Sequence, residues 1–177
     1  MPPALADVDG NAEDRRGTVS VFNGPVPTIE AFDDPEQESE AVGAWIAARV
    51  EEGVQPHEIG VFVRSTGEFR RARNTVKRAG VPAAELSDKV EVKPGKLSIG
   101  TMHLAKGLEF RAVAVMACDD EIIPSQERIE NVADDADLEE VYNTERHLLY
   151  VACTRARDNL LVTGVKPASE FLDDLKG

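Results

Sequence analysis

Two stretches of this chain gather side chains that can hold anions. In SIGTMHLAKGLEF, Ser98 to Phe110, an apolar run closes at Thr101, and an imidazole (His103), an ammonium (Lys106), a glycine (Gly107) and a carboxylate (Glu109) follow. Hydroxyl, ring N–H and backbone N–H groups at a strand's end can hold phosphate oxygens, whereas a carboxylate such as Glu109 accepts from hydroxyls such as those of a ribose. In LLYVACTRARDNLLV, Leu148 to Val162, Arg155 and Arg157 sit inside an apolar run. The planar guanidinium fork suits phosphate. If the segment is helical, a turn of about 100° per residue brings Arg155 within roughly 20° of Leu148, on the inward face, and leaves Arg157 solvated on the other. Arg155 then either pairs with a carboxylate of its own domain, Glu145 for example, or is held for an anion that arrives from elsewhere.

Any such site must be local. The formal net charge is −13 and the pI about 4.7, a field that repels the phosphates of duplex nucleic acid and of membrane surfaces. The charge is uneven: Asp119 to Glu140 is a nearly one-signed acidic block, and RSTGEFRRARNTVKR, Arg64 to Arg78, is basic. Two cysteines, Cys118 and Cys153, lie in apolar surroundings without Cys-x-x-Cys spacing, which points to a reduced, cytoplasmic chain. His57, His103 and His147 have no ligand spacing, so no metal site is expected. No apolar run reaches the roughly 18 residues of a membrane span, and no cationic-then-apolar leader opens the chain. A soluble protein with no membrane partner is expected.

The elements that must position these residues alternate in type. Residues 1–17 are small, polar and turn-rich and read as a linker or tail, with one domain over 18–177. TVSVF (Thr18 to Phe22) and PTIEAF read as strands. A helix follows with Asp34 as N-cap, Pro35 at its first position, Val42, Trp45, Ile46 and Val50 at helical spacing, and Gly53 at its end. IGVFV, LSIGTM, AVAVMAC and NLLVTG read as strands, the third continuous in apolar character as a sheet covered on both faces requires. GEFRRARNTVKRAG, DLEEVYNTERHLLYVACTRA and ASEFLDDLK read as helices. Strands alternating with helices predict an α/β domain with a mostly parallel sheet, and such folds place ligand loops at the carboxyl ends of their strands.

With these residues in place, the sequence resembles the second RecA-like motor lobe of superfamily-1 helicases of the UvrD/Rep/PcrA type. TMHLAKGLEF is similar to that family's motif V, NTERHLLYVACTRAR to its motif VI, and IGVFVRST to the strand and turn that precede its inserted 2B domain. The resemblance spans roughly residues 18–164 and implies a three-layer, RecA-like (P-loop NTPase-like) fold. It implies a motor lobe of an ATP-dependent DNA helicase in which Arg155 reaches the γ-phosphate of ATP, Glu109 touches the ribose, and Gly107 lies at the nucleotide. Thr101 and His103 would lie along single-stranded DNA; Arg64 and Ser65 would face DNA as well, with Thr66 where relatives often have asparagine.

The departures are as informative. No G-x-x-x-x-G-K-[ST] phosphate loop occurs in the chain. ATP and Mg²⁺ are therefore expected mainly on an N-terminal RecA-like lobe outside this sequence, with this lobe alone inactive and monomeric. AVAVMACDDE is similar to a Walker B strand, without a phosphate loop to serve. The family's motif IV is not found, and only a few residues separate VRST and its helix from motif V, so no large 2B insertion is expected. Two other readings compete: a non-catalytic module that docks a partner on the acidic segment 119–140, and a small-molecule-binding α/β domain with accidental motif matches. The latter leaves TRAR and KGLEF unconnected.

Overall fold

The computed structural model describes residues 25–176, so the expected tail over 1–17 and strand over 18–22 lie outside the described residues. Six strands, β1 (Thr28–Phe32), β2 (Ile59–Val63), β3 (Ala83–Glu85), β4 (Leu97–Thr101), β5 (Phe110–Val115) and β6 (Ala156–Val165), form one sheet in the order β1-β6-β5-β2-β4-β3. Every pairing is parallel. Five helices accompany them: α1 (Pro35–Glu51), α2 (Phe69–Ala79), α3 (Gln126–Glu130), α4 (Asp135–Cys153) and α5 (Phe171–Leu175).

The uninterrupted apolar strands are buried on both faces, as the sequence predicts. On β2, Ile59, Val61 and Val63 pack with Val42 and Ile46 of α1 and with Phe69, Ala72 and Val76 of α2. Phe62 points the other way, toward Leu149, Ala152 and Cys153 of α4 and Phe171 of α5. This is the period-two alternation of a strand between two helical layers. Phe62 also meets Phe110 edge-on, with ring centroids 5.8 Å apart. The β5–β6 register shifts between Phe110 and Ala112, so Phe110 shares a face with Val113 and Val115 although simple alternation would separate them.

Local signals set the helix starts. The Asp34 carboxylate accepts from the Gln37 N–H at 2.8 Å ahead of Pro35, and Asp134 accepts from Asp137 N–H at 2.9 Å. The end of α4 departs from expectation. The sequence pattern carries the helix through Ala156, yet it stops at Cys153, because Ala156 is drawn into β6 opposite Phe110. The Thr154 hydroxyl and the Arg155 Nε both donate to the Val151 carbonyl, which serves an acceptor the terminated helix leaves open. Arg155 therefore sits in the turn between α4 and β6, and the helical-face placement of Arg155 and Arg157 is corrected. Arg157 lies on β6, exposed, 3.5 Å from Asp158.

Candidate functional site

The parallel sheet has two ends, and the expected site residues divide between them. At the amino-terminal edge, Gly107 (φ +84°) turns the chain into β5, and Glu109 stands exposed immediately before Phe110. The Phe110 N–H donates to the Arg155 carbonyl at 2.9 Å, locking this turn beside the one that carries Arg155. The half-buried Arg155 guanidinium donates to three neutral acceptors: Val151 O at 3.1 Å, Leu108 O at 3.3 Å and the Thr154 hydroxyl at 3.1 Å. No carboxylate among the described residues neutralises it. Glu109 likewise has no cationic partner among the described residues, so one unpaired charge of each sign borders the same pair of turns.

Glu145, the alternative partner for Arg155, is engaged at the opposite, carboxyl-terminal edge. Val63 and Thr101 are paired across β2 and β4, which brings Arg64, Ser65, Thr101 and His103 together there. Arg64 is buried and grips Glu145 with two bonds, Nε to Oε1 at 2.7 Å and Nη2 to Oε2 at 2.6 Å. Glu145, fully buried in α4, also accepts from Ser125 N–H at 2.9 Å and from Arg128 Nη1 at 2.9 Å. Burial pushes its carboxyl up, but these donors outweigh it and hold the group below its ordinary value. Thr101 is almost covered, whereas Ser65 and His103 are exposed. Partial burial of the His103 ring, then the nearby Arg64 cation, lower its pKa, with Glu145 pulling the other way. At neutral pH it is an uncharged N–H donor.

Only one of the two predicted groups thus sits where open α/β folds place their ligand loops; Gly107, Glu109 and Arg155 lie at the amino ends of β5 and β6. The two edges are about 16 Å apart, five residues at roughly 3.3 Å each. Residues 102–109 run from one to the other beneath α4, with Met102 and Ala105 packed among Phe62, Leu149 and Ala152.

Sequence reasoning missed the wider role of Glu145 and the part of Arg128. A signal was present: Val141, Glu145 and Leu149 are spaced i, i+4, i+8, so a carboxylate occupies the inward stripe of α4 and must find donors there. A second buried carboxylate, Glu38, accepts from Arg71 Nη2 at 2.5 Å, Ala117 N–H at 2.8 Å and the Thr163 hydroxyl at 2.7 Å. Asp119, the acid that follows the Walker B-like strand, is held by Arg71 at 2.8 Å and by Val165 N–H at 2.7 Å. With its oxygens so engaged it is a structural brace, and it does not fit a magnesium ligand. The basic helix is also largely committed: Arg71, Arg73 and Arg78 pair with Asp119, Glu85 and Glu36.

These observations define an α/β domain with an all-parallel sheet and, between α4 and β6, an arginine that no carboxylate among the described residues neutralises. Its fold matches the crystal structure of the C-terminal domain of a possible DNA helicase from Lactobacillus plantarum WCFS1, with a TM-score of 0.62 and 23% identity over 88% of this chain and 85% of that one. Residues 83–166 match the UvrD-like helicase C-terminal domain family. The chain is similar to the ATP-dependent DNA helicase PcrA of Bacillus subtilis, 35% identical over 49% of this chain and 11% of that protein. It is also similar to DNA helicase II of Rickettsia typhi, 34% identical over 45% of this chain and 11% of that protein. A probable DNA helicase II homolog of Mycoplasma capricolum is 45% identical over 40% and 9% of the two chains. The chain thus spans about a tenth of the length of the curated relatives it matches.

Proposed function

We propose that this domain is the second motor lobe of an ATP-dependent DNA helicase or translocase, completing a nucleotide site that a companion N-terminal lobe opens. The observation that carries the reading is the Arg155 guanidinium, held in place by neutral acceptors alone and beside an unpaired Glu109. Val151 O, Leu108 O and the Thr154 hydroxyl orient the fork without cancelling its charge. It is therefore available to a phosphate presented across a cleft.

In this reading the companion lobe binds the ATP phosphates and their Mg²⁺, the ion that would neutralise phosphate charge there. Arg155 stabilises charge developing on the transferred phosphoryl group, an effect worth about 10³ to 10⁵ in rate in related phosphoryl-transfer systems. Glu109 accepts from a ribose hydroxyl, and Gly107, with its positive φ and open surroundings, lets the backbone approach the nucleotide. At the other edge Thr101, His103 and Ser65 donate to the backbone of single-stranded DNA. Arg64, bound to Glu145, fixes the end of β2 from which Ser65 projects. The segment 102–109 joins both groups, so a shift of one edge against the companion lobe is carried to the strand held at the other.

The acidic segment finds local work in this arrangement: Asp119 braces Arg71, and Asp134 caps α4 while Asp135 and Asp137 occupy its first turn. That weakens the docking-module reading. The deciding experiment is Arg155→Ala in the full-length protein. Nucleotide binding is expected to persist while DNA-stimulated ATPase falls by about 10³ or more; unchanged turnover refutes the role.

A further inference from the structure

The carboxyl-terminal edge holds more positive charge than its carboxylate can neutralise. Glu145 is the shared counter-ion of two guanidiniums, with Oε2 accepting from both Arg64 Nη2 and Arg128 Nη1. One negative charge against two positive leaves the cluster at +1, in a chain of net charge −13. The excess is not shared equally. Arg64 is nearly covered, its side chain 11% exposed with Nε and Nη2 both spent on Glu145; the Arg128 side chain is 39% exposed and spends only Nη1 on that carboxylate. Its Nε and Nη2 have no protein acceptor among the described residues. His103 lies close enough to both guanidiniums for their charge to act on it, and exposed Ser65 follows Arg64 directly. A half-anchored, solvent-facing guanidinium thus borders the same rim as two neutral donors.

We propose that Arg128 is a further phosphate contact for the single strand, positioned by Glu145 and completing the rim formed by Ser65, Thr101 and His103. The proposal rests on the reading of this edge as the nucleic-acid edge. The chemistry favours a polyanion over a small organic ligand, because the rim is open, carries one net cation and is lined by donors. Bulk repulsion by the rest of the chain makes the local cation decisive, since few other contacts release counter-ions when a strand binds.

The test is binding of a labelled oligothymidylate to the chain, followed by fluorescence anisotropy across a salt series. Each phosphate neutralised on a single strand contributes about 0.7 to the slope of log K against log salt. Arg128→Ala is expected to weaken binding about fivefold at low salt and to reduce that slope by about 0.7, as loss of one phosphate contact requires. Arg128→Lys should keep the slope, and Arg157→Ala, an exposed arginine at the other edge, should behave as the unmodified chain. Wild-type affinity and slope for Arg128→Ala, with binding weakened by His103→Ala, would overturn the proposal and leave the edge assignment standing. Equal losses for Arg128→Ala and Arg157→Ala would overturn it too, by showing diffuse attraction. No binding by the unmodified chain at low salt would sink both the proposal and the edge assignment. In the Arg Nε–Hε region of an NMR spectrum, the Arg128 signal should move on addition of the oligonucleotide; a stationary signal counts against the contact.

Discussion

Replacing Glu145 with glutamine changes two atoms' chemistry and almost no volume, yet it strikes the most crowded polar point of the fold. The carboxylate accepts four hydrogen bonds, two from Arg64 and one each from Ser125 N–H and Arg128. A glutamine offers one carbonyl oxygen, and its amide turns two N–H groups toward donors that need acceptors. Removing one partner of a buried ion pair costs about 3–5 kcal/mol. Arg128 can recover water and Arg64 cannot, so the expected loss lies near the lower limit, about 3 kcal/mol. At about 2–4 °C per kcal/mol for a domain of this size, the melting temperature should fall by about 6–12 °C.

Urea unfolding followed by circular dichroism measures this directly, with the denaturant slope expected to be unchanged. The pH dependence adds a signed check. The folded pKa of Glu145 is depressed, so its contribution is fully present above the unfolded value, near 4.3, and is lost as pH falls through the folded value. The gap between Glu145→Gln and the unmodified chain should therefore be flat from about pH 8 to pH 6 and narrow on the acid side of about pH 5. A loss below about 1 kcal/mol at pH 7, or a gap that widens toward acid, would refute the assignment of Glu145 as an ionised counter-ion.

Arg155→Ala, tested in the full-length protein as above, should barely alter stability, about 1 kcal/mol for bonds to neutral acceptors, so the ATPase loss cannot be attributed to unfolding. Gly164→Ala should lose about 3 kcal/mol or more in chemical denaturation, because a Cβ there would come within 2.8 Å of the Cys118 carbonyl carbon and closer still to its oxygen, backbone that cannot step aside; a loss under about 1 kcal/mol contradicts the packing. Cys118 and Cys153 should resist a thiol reagent at mildly alkaline pH until the chain unfolds, since burial pushes both thiols up, Cys153 to about 12. Rapid labelling of the native protein at either cysteine would contradict that burial.

What could be read from the residues follows their range of action. The start of α1 is set by Asp34 and Pro35, and β2 and β4 by apolar runs bounded by turn residues; both signals act within a few positions and both hold. The end of α4 depends on Ala156 pairing with Phe110, a partner 46 positions away that no local pattern reveals. The edge lies equally out of local reach: the family resemblance brings Gly107, Glu109 and Arg155 into one group, but only the strand directions show which end of the sheet they occupy. β3, three residues long and paired only to β4, carries too little pattern to be seen. The resemblance of TMHLAKGLEF and NTERHLLYVACTRAR to helicase motifs agrees with the family that residues 83–166 match.

The separation of the two residue groups by the length of β2 and β4 imposes a fixed gauge on the domain. The two rims share no side chain, so a substitution at one reaches the other through the backbone of the joining segment, residues 102–109. Lengthening the gap is a different matter: an added residue in one central strand would turn every side chain beyond it to the wrong helical layer, and the neighbouring strands would have to grow in step. The span between the rims is thus held by the pleat.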